Sequence, residues 1–221
     1  MTCLSFLAGL DVAASLIACG RYRNILLVSS EIASKGLNWR GDLETAGNFG
    51  DGAVALVLQP PAAGTGTVTL LAAAFETHHE GVGHCYIPGG GTRRHPAFIP
   101  GDYAALGYFH MSGREVFRLS SRVLPPFIDR LLASAGLRVA DLDWVVPHQA
   151  SRLGLDHIRK RLDIPAAKVV DIFDRYGNQI AASLPMALAA LRQRADWRPG
   201  QKVMLVGTGA GLSLGGILLE T

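Results

Sequence analysis

The sequence is poor in the residues that would place it at once in several large classes. Three cysteines, Cys3, Cys19 and Cys85, are too few and too scattered for a disulfide framework, and no CxxC pair prepares a zinc site. That usage suits a reducing, cytoplasmic compartment. No uncharged apolar run reaches membrane-spanning length, which argues against a membrane partner. No block of Lys or Arg and no interleaved aromatic platform is present, and a formal charge of +3 is too small to point to nucleic acid. The run Leu16-Ile17-Ala18-Cys19 looks like a lipoprotein cleavage site, but no basic residue precedes it and Asp11 interrupts it, so a secretory signal is missing. The 26 glycines are dispersed among apolar runs, which excludes a low-complexity or collagen-like tract. What remains, with 49% hydrophobic residues in 221, is a globular chain able to bury one sizeable core.

The chain contains an internal duplication. CLSFLAGLDVAASLIA, a basic Gly-containing turn and NILLVSS over residues 3–30 read as helix, turn and strand. NQIAASLPMALAALRQ, RADWRPGQ and KVMLVGTG over residues 178–209 read the same way. Each copy closes with a Gly-rich turn and a strand, NFGDGAVALVLQP in the first and GAGLSLGGILLE in the second. The second copy is preceded by a strand at about 67–75, a helix GREVFRLSSRVLPPFIDRLLASAG bent near Pro125-Pro126, and the strand WVVPH. A helix RLGLDHIRKRLDI and a strand VVDIF follow. The expected fold is α/β, with βαβαβαββ for the second copy and only αββ for the first, so by its own symmetry the first copy lacks roughly 100 residues. The expected division is 1–60 for the remainder of the first half, 61–110 for a strand and connecting loop, and 111–221 for the second half.

Several residues could carry chemistry. Cys3 stands at the start of its helix, where free N–H groups and the helix dipole favour a thiolate, so it is expected to have a lowered pKa. Free cysteines are more commonly small buried hydrophobes, and Cys19 and Cys85 are read that way. His148 ends the strand WVVPH and Asn178 follows VVDIF, both at the carboxyl ends of strands, where sites gather in α/β sheets. The loop FETHHEGVGHCY brings His78, His79, His84 and Cys85 together, but the spacing fits no zinc pattern and no metal is expected. GTGAGLSLGG lacks the third glycine and the following helix of a dinucleotide loop. It reads instead as a turn at Gly209, Ala210 and Gly211 offering N–H donors to an oxyanion. Arg114, Arg118 and Arg122 line one helix face, and Arg152, Arg159, Lys160 and Arg161 crowd another helix. Both sets read either as solvated faces or as a dock for an acidic carrier.

Cysteine at a helix start, PHQA at a strand end, YGN before an Ala-Ala-Ser helix, FGDGA at 49–53, MSGREVF at 111–117 and a closing GTGAGLSLGG form one constellation. It resembles the β-ketoacyl-acyl-carrier-protein synthase III family of the thiolase-like fold, over residues 2–220. The resemblance implies layered αβαβα architecture with the first unit truncated, and a decarboxylating Claisen condensation without metal or redox cofactor. Cys3 would carry the acyl group, with its own N–H and one from the 209–211 turn holding the oxyanion. His148 and Asn178 would stabilise the enolate formed from malonyl-acyl carrier protein. Acyl-CoA and acyl carrier protein are the implied substrates and partners, with Ser151, Arg152, Arg114 and Arg118 as candidate contacts, and the family's homodimer as the implied assembly. The chain departs from the family's pattern in lacking its first βαβαβ segment, in Ala210 for the middle glycine of the closing turn, in Ser151 for a frequent Asn, and in Arg152, one position early.

Three other readings stand beside this one. A papain-like protease shares the Cys, His, Asn order but not its signature. A condensing enzyme of secondary metabolism, of the ketone, quinolone or β-lactone type, fits the His- and Gly-rich loop 76–95. A catalytically silent fragment or binding module fits the strand NILLVSS, whose expected neighbour is not encoded and whose open edge predicts poor solubility or dependence on a partner.

Overall fold

The computed structural model describes residues 1–61, 68–101 and 103–221; residue 67 of the expected strand lies outside them. The first part runs from a 3₁₀ turn, Thr2–Leu4, into helix α1 (Ser5–Ala18), strand β1 (Ile25–Glu31), the short α2 (Leu43–Ala46) and β2 (Gly52–Leu58). Then come β3 (Thr69–Thr77), β4 (Cys85–Tyr86), β5 (His110–Met111), α3 (Gly113–Ser134), β6 (Trp144–Pro147), α4 (Arg152–Arg161), α5 (Phe173–Tyr176), α6 (Ser183–Arg192), β7 (Lys202–Gly209) and β8 (Ser213–Glu220). β1 and β2 form an antiparallel pair, and β3-β8-β7-β6 form a second sheet in which only β6 and β7 are parallel.

The alternation of β7 sets the layers. Val203 and Leu205 face one way, into a core shared with Leu4, Phe6, Leu7 and Leu10 beside α1 and with Leu184 and Leu191 of α6. Met204 and Val206 face the other way, onto Leu119, Phe127 and Leu131 of α3 and Ile158 of α4. Leu27, Leu56 and Leu58 of the β1–β2 pair close the first core from its far side. The order is therefore β1–β2, then α1 and α6, then the four-stranded sheet, then α3 and α4. The outer face of β1–β2 has no layer over it among the described residues: Leu26 is 65% exposed, Val28 55% and Val57 59%.

The two halves meet by close backbone approach. Asn178 donates its N–H to the Asn48 carbonyl (2.7 Å), and Gly50 donates to the Asn178 carbonyl (3.0 Å). A Cβ on Gly50 would fall 2.0 Å from the Tyr176 carbonyl oxygen, and Gly177 (φ +65°) would strike Asn48 at 2.9 Å, so both positions require glycine.

One expectation is corrected here. VVDIF does not form a strand: it makes a single bridge, Val169 to Val145, because the buried Gln149 side chain takes over the pairing. Its Nε2 donates to the carbonyls of Pro147 (2.8 Å) and Val170 (3.1 Å), and its Oε1 accepts from the Ile172 N–H (3.0 Å). Pro147 ends β6 without an N–H to extend the ladder. In the loop after β3, β4 pairs with β5 and the His78 N–H donates to the Leu212 carbonyl (2.8 Å).

Candidate active site

Cys3, His148 and Asn178 sit on elements that converge at one end of the four-stranded sheet. The Thr2–Leu4 turn contacts both β7 and the 3₁₀ turn Ile180–Ala182 that follows Asn178. Gly207 is the meeting point: a Cβ there would lie 2.5 Å from the His148 Cβ and 3.3 Å from the Leu4 side chain.

Cys3 lies in the 3₁₀ turn, one turn before α1 rather than in its first turn. The expected low pKa is overturned. Burial dominates and pushes the thiol up to about 11, while the Thr2 hydroxyl and the N–H groups of Cys3 and Ala210 favour the anion and the nearby Cys85 opposes it. Cys85 is itself raised to about 11 by burial. Of the three turn residues, Ala210 is the one whose N–H favours the Cys3 thiolate, and that N–H donates to Thr2 Oγ1 at 3.0 Å. Gly209 ends β7 against the Met1 carbonyl, where a Cβ would stand 2.7 Å away, and Gly211 turns the chain with φ +130°. Thr2 itself has φ +39°, an uncommon conformation for a β-branched residue. Sequence reasoning missed Thr2, although a hydroxyl next to the nucleophile was visible.

His148 is buried and desolvation lowers its pKa to about 4, so the imidazole is neutral at pH 7. Its backbone N–H donates to the Val206 carbonyl (2.8 Å), and Nδ1 is buried without a partner among the described residues. The Asn178 carboxamide has its orientation fixed, because the Ile180 N–H (2.9 Å) needs an acceptor and so selects Oδ1. Ser183 Oγ adds a longer bond to the same oxygen at 3.4 Å. Nδ2 makes one long bond, to the Ala150 carbonyl at 3.4 Å, and keeps a hydrogen for a ligand. Ile180 has φ +52°, so this turn stores strain of roughly 1–3 kcal/mol. Gln149, also missed, holds the segment that leads to Asn178; a buried amide directly after His148 was its signal.

A cavity of about 930 Å³ opens beside His148, bounded by α3, α4 and residues 206–208 of β7. Ser151, Arg152 and Arg114 line it; Arg118, Cys3 and Asn178 do not. Three of the four candidate carrier contacts have partners within the chain. Ser151 caps α4 through the Gly154 N–H (3.1 Å), Arg118 pairs with Glu115 (2.9 Å), and Arg152 pairs with Asp171 and with Asp174 (2.6 Å), which raises its pKa further. Arg114 has no ion pair among the described residues. No three of His, Cys, Asp and Glu are grouped among the described residues, and no helix among them is long and apolar enough to cross a membrane.

Two helix–strand–strand units whose helices share one core between two sheets define the thiolase-like fold. The family model for 3-oxoacyl-[acyl-carrier-protein] synthase III matches residues 1–78, and the model for its C-terminal part matches residues 132–221. The chain belongs to that family. A β-ketoacyl-[acyl-carrier-protein] synthase III of Symbiobacterium thermophilum is 40% identical over 220 residues, covering 99% of this chain and 64% of the relative. The enzyme of that name from Desulfitobacterium hafniense is 38% identical with the same coverage. A crystal structure of a 3-oxoacyl-(acyl-carrier-protein) synthase III superposes with TM-score 0.88 at 29% identity, over 100% of this chain and 67% of the other. The β-ketoacyl synthase III of Thermus thermophilus gives 0.85 at 31%, over 100% and 66%. The chain thus spans 64% of the length of the two curated relatives named above.

Proposed function

We propose that the chain carries the condensing chemistry of its family, a decarboxylating Claisen condensation of an acyl thioester with malonyl-acyl carrier protein. The observation that carries the reading is that the Thr2–Leu4 turn bearing Cys3 packs on β7 beside His148 and on the turn after Asn178, bringing a thiol toward two neutral donors, an imidazole and a carboxamide. Cys3 attacks the acyl thioester, and the new oxyanion takes the Cys3 and Ala210 N–H groups, displacing the Thr2 hydroxyl from the latter. Because burial raises the thiol's pKa, its proton leaves during attack rather than before it, and the CoA thiolate expelled as the tetrahedral intermediate collapses takes that proton up and departs as CoA-SH.

His148 and the free hydrogen of Asn178 Nδ2 then hold the thioester oxygen of the malonyl group as CO₂ departs, and the carbanion attacks the acyl carbon on Cys3. A neutral imidazole suits this step, because a donor of low acidity stabilises the enolate oxygen without protonating the carbon. No metal or redox group enters the scheme. Acyl-CoA and acyl carrier protein are the substrates, fatty acid biosynthesis the setting, the cytoplasm the compartment and a homodimer the assembly. The three free cysteines support the compartment.

Incubation with an acyl-CoA followed by peptide mass spectrometry tests the first half-reaction. Acylation at Cys3, abolished by Cys3→Ala, is expected; labelling only at Cys19 or Cys85 overturns the assignment. A second reading, a catalytically silent module, is favoured by the bare apolar face of β1–β2. It predicts a folded chain that binds acyl carrier protein without ever becoming acylated.

A further inference from the structure

Burial leaves Cys3 with a thiol that must lose its proton while it attacks, and that proton needs an acceptor. The buried His148 imidazole is a poor one, because a pKa of about 4 makes it a far weaker base than the sulfur itself. Asn178 offers an amide, which does not take up protons. Among the described residues, the groups that act on the sulfur are the Thr2 hydroxyl, the Cys85 thiol and the N–H groups of Cys3 and Ala210. Of these, only the hydroxyl combines a proton it can give with a strong acceptor lone pair.

The fold seats that hydroxyl from three sides. Thr2 adjoins Cys3 in a turn closed by the Leu4 N–H on the Met1 carbonyl (2.9 Å). Its Oγ1 accepts the Ala210 N–H at 3.0 Å. Gly209 makes room, since a Cβ there would stand 3.0 Å from the same oxygen. Thr2 reaches this place with φ +39°, a conformation that costs a β-branched residue roughly 1–3 kcal/mol and that clusters at reacting sites. The N–H it occupies is one that the oxyanion takes, so an arriving carbonyl oxygen displaces the hydroxyl. A side chain as short as threonine keeps the displaced group close by, on the residue next to the attacking sulfur.

We infer that Thr2 is a further catalytic residue, its hydroxyl carrying the proton of Cys3 to the sulfur of the departing CoA. As Cys3 attacks, its S–H proton passes to Thr2 Oγ1, and the hydroxyl's own proton passes to the CoA sulfur as the bond from that sulfur to the carbonyl carbon breaks. One C–S bond forms and one breaks, Thr2 ends as it began, and CoA leaves as the neutral thiol. The role rests on the acylation proposed above. Two effects of the hydroxyl oppose each other, and their sizes decide the sign. A proton relay contributes about 100-fold or more to the rate. Occupying the Ala210 N–H holds back one neutral hydrogen bond from the oxyanion, about fivefold. The relay outweighs the obstruction, so loss of the hydroxyl slows acylation.

Acylation of the full chain is followed by intact-mass spectrometry in single turnovers. The probes are whichever of acetyl-, octanoyl- and hexadecanoyl-CoA labels Cys3 fastest, and the S-phenyl thioester of the same acid. Thr2→Val keeps the β-branched shape and is expected to acylate about 20-fold more slowly from the CoA thioester, while Thr2→Ser stays within about threefold of the parent. From the phenyl thioester the deficit of Thr2→Val is expected to fall to about threefold, because thiophenolate departs without a proton and water takes the one from Cys3. A merely structural role would slow both thioesters alike. Thr2→Val as fast as the parent, Thr2→Ser as slow as Thr2→Val, or equal deficits with the two thioesters each overturn the relay. A Thr2→Val faster than the parent also overturns it, by making the hydroxyl a plug on the Ala210 donor. A parent that is never acylated at Cys3 overturns the condensing function and the relay with it, so the parent alone tells the two failures apart.

Discussion

The neutral, buried imidazole of His148 makes stability depend on pH in a way that can be calculated. An unfolded histidine titrates at 6.5, whereas His148 in the fold resists protonation until about pH 4. Below pH 6.5 the unfolded chain therefore binds a proton that the folded chain refuses. This contribution is complete above 6.5 and is lost as pH falls toward 4. At 1.36 kcal/mol per pH unit, the window is worth about 3 kcal/mol, roughly three quarters of it gone by pH 4.5. Urea unfolding at pH 7 and pH 4.5, for the parent and for His148→Gln, isolates the group, because every carboxylate is common to both proteins. The parent is expected to lose about 2–3 kcal/mol more than the variant over that interval. Equal losses would mean that His148 is solvated or paired, and the account of a desolvated neutral donor would fall.

Three further outcomes follow from the site. Gln149→Leu leaves the Pro147 and Val170 carbonyls and the Ile172 N–H without their partner, so chemical denaturation is expected to show a loss of about 4 kcal/mol, and a loss below about 1 would refute its bridging role. Gly207→Ala drives a methyl to 2.5 Å from the His148 Cβ; a folded variant whose condensation rate falls about 100-fold is expected, and an unchanged rate would show that the imidazole is not held there. Iodoacetamide modification of Cys3, followed peptide by peptide, is expected to keep accelerating up to about pH 11, and a plateau below pH 8 would contradict the desolvated, half-buried thiol.

Much of this was legible in the sequence, for identifiable reasons. The Ala-Ala-Ser-Leu helices and alternating strands of the two copies carry periodicities that survive any packing, and β7 divides its residues between two cores as its pattern requires. VVDIF misled because a β-branched run scores as a strand whether its partner is a backbone or, as here, the amide of Gln149. The sign of the Cys3 shift also escaped, since helix-end position is written in the sequence and desolvation is not. The basic residues Arg118 and Arg152 could be counted, but their acidic partners are supplied by folding. The cavity beside His148 is the least legible feature: Ser120, Gly154 and His157 are far apart in the sequence's patterns, and only two adjacent helices turn them into a lined space.

The uncovered side of β1–β2 has a practical consequence. Leu26, Val28 and Val57 present a flat, water-facing aliphatic surface on a two-stranded ribbon, a shape that adheres to copies of itself as concentration rises. Light scattering of the pure chain should therefore grow faster than linearly with dose, and Leu26→Lys with Val57→Lys should suppress that growth. Kinetics on the unmodified chain are best collected dilute, where self-adhesion does not masquerade as loss of catalysis.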